Sequence, residues 1–190
     1  MGIEYELKYR ATPQALACVQ QELGEGWHTI QMRTTYYDAI DGALSARKWT
    51  LRRRLENGVS VCTLKTPAPQ GRQEYEVQCE NIEAAIVELC KLAGSDMLQQ
   101  LTAAGVQEVC GAAFTRRAKL ISFPGFAAEV ALDEGELFAG ENRQPLCELE
   151  VELKDGDASG MRNYGLCLAA RYDLQPETKS KFKRALSLGR

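Results

Sequence analysis

Glutamate, lysine and arginine residues spaced two apart recur along this chain, and they are the side chains with which chemistry could be done. Glu4, Glu6 and Lys8 alternate with Ile3, Tyr5, Leu7 and Tyr9. The same spacing joins Arg52 to Arg54, Thr63 to Lys65, and Arg72 to Glu74 and Glu76. It returns in Arg117 and Lys119 and in Glu148, Glu150 and Glu152, and Glu129 and Asp133, four apart, share the same parity. Residues two apart share one face of a β-strand, so each set is a charged row. A single row of this kind is ordinarily a solvated strand face. Repeated on seven or eight strands, several of them backed by apolar rows, the pattern fits either a sandwich with every row in solvent or a closed barrel with the charges in its lumen. About eight strands enclose a space able to hold one small ligand.

Charges inside a lumen are costly without partners or a charged ligand. Arginine and lysine match phosphate oxygens through charge-assisted hydrogen bonds. Carboxylates repel phosphate, so carboxylates beside them imply a bridging hard cation. His28 is the only histidine, and the seven cysteines are dispersed without a CxxC pair. Nitrogen and thiolate ligand clusters are therefore missing, and Mg²⁺ or Mn²⁺ on oxygen ligands is the cation expected. The lone His28 also argues against a Ser-His-Asp triad, since no GxSxG elbow accompanies it. A polyphosphate carrying a divalent cation satisfies both signs of side chain at once.

The elements that must position these rows are mostly strands. Asn57-Gly58 between Thr50–Leu55 and Val59–Lys65 is a hairpin signal. Phe114–Phe123 and Ala127–Leu132 flank a turn at Pro124-Gly125, and Leu146–Leu153 alternates throughout. Helices are fewer. Thr12-Pro13 is a cap with proline at the first helical position, followed by Leu16, Val19 and Leu23. Asn81 caps a second, a third spans Asp96 to Ala104, and a fourth starts at Ser159. These signals predict one antiparallel β domain with about four peripheral helices over residues 1–190.

The 190 residues carry 23 Lys and Arg against 26 Asp and Glu, a net charge of -3. That balance lacks the basic surplus of a nucleic-acid coat, so no nucleic-acid partner is expected. No apolar run reaches the length of a membrane span, and the start MGIEYELKYR is not a secretory signal. With dispersed cysteines read as reduced, mostly buried thiols, a cytoplasmic location is expected. The near-zero total hides segregation. Seven basic residues face one acid, Glu56, between Arg47 and Arg72, whereas ten acids face Arg143 and Lys154 between Glu129 and Asp157.

Glu4-Tyr5-Glu6-Leu7-Lys8 resembles the ExExK signature of the CYTH superfamily, the triphosphate tunnel metalloenzymes. Thr35-Tyr36-Tyr37-Asp38 resembles the family's YFDT segment, with Ala39 where Thr is common, and Leu51-Arg52-Arg53-Arg54 its LRxR strand. Thr63-Leu64-Lys65, Arg72 to Glu76, Arg117-Ala118-Lys119, Glu129 to Asp133, Glu148 to Glu152 and Ser180-Lys181 complete the series across the chain. Leu146 to Glu150 and Asp133-Glu134-Gly135-Glu136 look most like the bacterial inorganic triphosphatase branch. The CHAD helical domain that this branch often carries is not expected within these residues.

The resemblance implies an α+β fold built on an eight-stranded antiparallel β-barrel, or tunnel, with peripheral helices, and metal-dependent hydrolysis of inorganic triphosphate to pyrophosphate and phosphate inside it. Other tunnel activities form the alternative: a thiamine triphosphatase, a nucleoside triphosphatase, a class IV adenylate cyclase, or a non-catalytic polyphosphate sensor. It implies Glu4, Glu6, Lys8 and Glu150 as catalytic groups. Metal would be held by Glu4 and Glu6 with two of Glu148, Glu150 and Glu152, which share a face and stay undivided. Phosphate would be gripped by Lys8, Arg52, Arg54, Lys65, Arg117, Lys119 and Lys181, with Lys179 the rival to Lys181. Glu76, Glu129 and Asp133 would support. Arg53 would point outward, and a homodimer is in keeping with the family.

Overall fold

Local signals start and stop the elements of the computed structural model, which describes residues 5–69 and 72–189. The Thr12 hydroxyl accepts from the Ala15 N–H at 3.1 Å and opens α1 (Pro13–Leu23). Asn81 accepts from the Ala84 N–H at 2.8 Å and opens α3 (Ile82–Ala93), which Gly94 ends in the left-handed region. Between β3 (Thr50–Glu56) and β4 (Val59–Pro67), Asn57 and Gly58 take φ of 49° and 88°. Positive φ at both central residues is the tight hairpin turn that Asn-Gly favours.

The remaining strands are β1 (Glu6–Arg10), β2 (His28–Ala39), β5 (Arg72–Gln78), β6 (Val106–Phe123), β7 (Phe126–Ala139), β8 (Asn142–Gly156) and the short β9 (Gln175–Pro176). All pair antiparallel in one sheet, in the order β5-β4-β3-β2-β6-β7-β8-β1-β9. This corrects the expected closed barrel of eight strands. Among the described residues there are nine, and the ladder does not close, because β5 and β9 pair on one side only. The described helices number six, adding α2 (Ala43–Ala46) and α6 (Lys181–Ser187) to α1, α3, α4 (Met97–Leu101) and α5 (Ala158–Arg171).

Two cores lie on the outer, convex face. Leu132, Leu149 and Val151 pack with Tyr9 under α1 and α5. Leu51, Cys62 and Leu64 pack under α2, α3 and α4. α5 rides close on β1: a Cβ at Gly165 would lie 2.6 Å from Leu7 Cδ1 and 3.2 Å from the Tyr9 hydroxyl. Glycine at this position is what sets the height of β1 against the helix. A third core lies on the inner face at one end, where Met32, Tyr36, Ala112, Phe114, Leu137 and Leu146 receive Phe182 and Ala185 of α6. The Tyr36 and Phe182 ring centroids are 5.0 Å apart. No described helix is long and apolar enough to cross a membrane. All seven cysteines are free thiols, three of them buried; Cys167 is exposed, unlike the buried role expected for it.

Candidate active site

Strand parity converts the two charged stretches into two walls of one concave face. Leu51 and Leu64 point to the outer core, so Arg52, Arg54, Thr63 and Lys65 point inward. Leu149 and Val151 likewise point outward, which turns Glu148, Glu150 and Glu152 inward. Register then aligns the acids across strands: Glu6 pairs with Glu152 and Lys8 with Glu150, while Glu129 and Asp133 pair with Glu152 and Glu148. Glu4 lies outside the described residues.

On the basic wall, Glu74 bridges Arg52 at 3.2 Å and Lys65 at 2.8 Å. Glu76, expected to orient a cation, accepts from Thr63 at 2.9 Å and lies 3.7 Å from Arg52. Arg54 pairs with Glu56. The Nε atoms of Arg52 and Arg54 are both buried without a hydrogen-bond partner. Burial lowers the Arg54 pKa, and the neighbouring charges of Arg52 and Arg116 add to that effect against Glu56 and Glu76. Buried donors beside like charges are an arrangement that an anion would relieve.

On the acidic wall, Asp133, Glu148 and Glu150 bring carboxylate oxygens within 4.8 Å of one another, all buried, a group that could hold a metal ion. The Lys181 ammonium stands among them, at 2.9 Å from Asp133, 2.6 Å from Glu148 and 2.7 Å from Glu150. Arg116 forks onto Asp133 at 2.8 and 2.7 Å and also contacts Glu150. Arg184 contacts Glu148. Three acids thus meet three bases. Nearer the open end, Lys8 lies 3.2 Å from Glu6, and Lys154 lies 2.9 Å from Glu152 and 3.9 Å from Glu129. There, among the described residues, three half-buried carboxylates stand beside two lysines.

Burial alone would raise the Glu150 carboxyl pKa, but the charges of Lys181 and Arg116, the Lys181 hydrogen bond and the charge of Lys8 hold it well below the usual range. A carboxyl depressed by folding contributes stability above its unfolded pKa of roughly 4.3 and loses it as pH falls. In EDTA, the urea midpoint should therefore drop between about pH 5 and pH 3 more steeply in wild type than in Glu150→Gln. Equal slopes would show that this carboxyl is not held down.

Two expectations are corrected here. Arg117 and Lys119 do not face the lumen. Arg117 reaches Gln20 of α1 at 2.9 Å and Glu134, and Lys119 reaches the carbonyls of Leu23 and Glu25. Phe114, Arg116 and Ala118 own the inner parity of β6, so Arg116 takes the inward place. Lys181, not Lys179, enters the site, because the Ser180 hydroxyl caps α6 by accepting from the Lys183 N–H at 3.2 Å. Arg53 does point outward, to the Glu80 carbonyl at 2.8 Å. Asp38, in the segment flagged beside the tyrosines, is buried and accepts from the Leu44 N–H at 3.0 Å, so it ties down α2. Arg184 carried no period-two signal; Phe182, Ala185 and Leu186 after Ser180 were the helical cue that places it.

The CYTH domain family matches residues 2–186. The chain is 31% identical to the inorganic triphosphatase of Haemophilus influenzae over 98% of its own length and 55% of that protein, so it spans about half of that relative. Among solved structures, a Hippeastrum protein described as having a dominant triphosphatase activity superposes with a TM-score of 0.70 at 17% identity, covering 99% of this chain and 97% of that one. A Pyrococcus horikoshii protein gives 0.64 at 22% identity, covering 97% and 98%. Both likenesses are of fold.

Proposed function

This chain belongs to the CYTH domain family, and on that premise we propose that it hydrolyses inorganic triphosphate to pyrophosphate and phosphate with a divalent cation, Mg²⁺ or Mn²⁺. The observation that carries the reading is the pair of buried, unpartnered guanidinium donors on Arg52 and Arg54, facing a wall of carboxylates. Such donors on a concave, apolar-backed face ask for an anion with several oxygens.

The open-end carboxylates fit the cation better than the deep triad does. Lys181, Arg116 and Arg184 already offset the charge of Asp133, Glu148 and Glu150. Glu6, Glu129 and Glu152 are half-buried hard oxygen donors that stand, among the described residues, beside Lys8 and Lys154 nearer the open end. We therefore place the cation on Glu6 and Glu152 with Glu129, and Glu4 beside them by family resemblance; of the late glutamates, Glu152 is the first choice. A bound divalent ion would polarise phosphate oxygens there.

The chain's own residues do the rest. Arg52, Arg54, Lys65 and Lys8 bind and orient the phosphate chain and stabilise charge developing on the leaving pyrophosphate. Glu74 holds Arg52 and Lys65 in place. Lys181 and Arg116 keep Glu150 ionised beside Lys8. The apolar end formed by Tyr36, Phe114 and Phe182 keeps water out of that side of the lumen.

The test is a turnover panel with triphosphate, ATP, thiamine triphosphate and long-chain polyphosphate, each with Mg²⁺ and with Mn²⁺. Phosphate release from triphosphate above the others is expected; a preference for a base-bearing substrate, or binding without turnover, would overturn the reading. Within it, Glu6→Gln should raise the Mg²⁺ concentration for half-maximal rate by about tenfold, the loss of one charged ligand being worth on the order of 1.4 kcal/mol. An unchanged metal titration would remove Glu6 from the cation site.

A further inference from the structure

The unclosed sheet leaves a seam between its two edges, and that seam is a cavity of about 590 Å³. Glu6 and Lys8 line it from β1, Lys65 and Arg72 from the facing edge, and Arg162 and Leu166 from α5. Glu6, Lys8 and Lys65 are also members of the inner face, so the cavity continues the lumen sideways, past the part of β1 that β9 leaves uncovered, to the surface under α5.

Its charges are unevenly answered. Glu6 meets Lys8, and Glu177 on the rim lies 3.7 Å from both Arg10 and Arg184. Lys65 meets Glu74. Arg72 instead donates to the carbonyls of Lys48 at 2.7 Å and Lys65 at 3.3 Å and to the Thr50 hydroxyl at 3.1 Å. These are neutral acceptors, which fix the guanidinium without cancelling its charge. Among the described residues, neither Arg72 nor Arg162 forms an ion pair. Two guanidinium forks without an ion pair among the described residues therefore line one cavity, Arg72 from β5 and Arg162 from α5. A fork of this kind takes two oxygens of a phosphate at once. An uncharged ring would leave both charges unanswered.

We propose that the seam is a second anion subsite, which takes the phosphates of a linear polyphosphate beyond the three held in the lumen. The terminal phosphates lie against Arg52 and Arg54, and the chain leaves through the wall between Arg72 and Arg162. Linear chains of four or more phosphates are then ligands in their own right, and Arg162 is the residue that distinguishes them from triphosphate. This rests on the lumen being the triphosphate site.

The experiment is calorimetric binding in EDTA, with triphosphate, tetraphosphate and ATP as probes, on wild type, Arg162→Ala, Arg162→Lys and Arg54→Ala. Wild type is expected to bind tetraphosphate about tenfold tighter than triphosphate, since a charged hydrogen bond contributes on the order of one such factor. Arg162→Ala should erase most of that ratio. Arg162→Lys should restore part of it, keeping the charge and losing the fork. A tetraphosphate-to-triphosphate ratio equal in wild type and Arg162→Ala overturns the proposal, as does a failure of wild type to bind either. ATP bound as tightly as tetraphosphate regardless of Arg162 also overturns it and assigns the seam to an organic group. An Arg162-dependent gain with no effect of Arg54→Ala keeps the seam and removes the lumen reading instead.

Discussion

Arg54→Ala should lower triphosphate turnover by on the order of 10²-fold or more, as removal of one preorganised charge-stabilising donor does elsewhere, while leaving the folded state as stable as before. Both halves come from the same surroundings. The Arg54 guanidinium is buried with its Nε unpartnered, beside Arg52 and within the field of Arg116. Its ion pair with Glu56 lies at the partly open end of the hairpin, where such pairs contribute roughly 0–1 kcal/mol. Removing it relieves repulsion as much as it loses attraction. The measurement is kcat and KM for triphosphate beside a thermal melt. A melting temperature that falls steeply, or turnover within a few-fold of wild type, would mean that Arg54 is a structural cation.

Arg116→Ala should show the opposite balance, with about 3–5 kcal/mol lost from folding, the usual penalty for stripping one member from a buried ion pair. Asp133 is fully buried, and Arg116 supplies two of its hydrogen bonds and a contact to Glu150. Lys181 and Arg184 would remain to answer Asp133, Glu148 and Glu150. Arg116→Lys should recover part of the loss, because one ammonium restores the charge but cannot reproduce the fork. Urea denaturation at neutral pH measures both. A midpoint within about 1 kcal/mol of wild type for the alanine variant would show that the cluster reorganises around Lys181, and that Arg116 is not what fixes it.

These two arginines also mark where the sequence was readable and where it was not. Arg52-Arg53-Arg54 sits between Leu51 and Leu55, so the apolar neighbours decide which cations point inward. Glu148, Glu150 and Glu152 are settled by Leu149 and Val151 in the same way, and Asn57-Gly58 fixes the hairpin register on its own. Arg116-Arg117-Ala118-Lys119 offers a cation in either parity. Only α1, which brings Gln20 and the end carbonyls to the outer face, breaks the tie. Lys179 and Lys181 share parity as an extended segment, and the distinction appears once Ser180 is recognised as a cap. Closure of the sheet had no local signal at all. Whether β1 meets β5 depends on residues about 60 apart, and β9, two residues long, occupies part of the edge that closure would need.

The sheet that carries the two walls behaves as a book whose spine is the β2–β6 pairing. Its covers, one cationic and one anionic, have no backbone ladder among the described residues to fasten their fore-edges. A cation-bearing polyanion touching both covers would serve as the clasp, and whatever free energy it gains by binding is added to the resistance of the fold to opening. By mass action this amounts to about 2.7 kcal/mol at a ligand concentration 100 times Kd. Under the proposed function, a bound phosphate chain would then slow proteolysis of this protein by the same binding free energy that holds it for turnover.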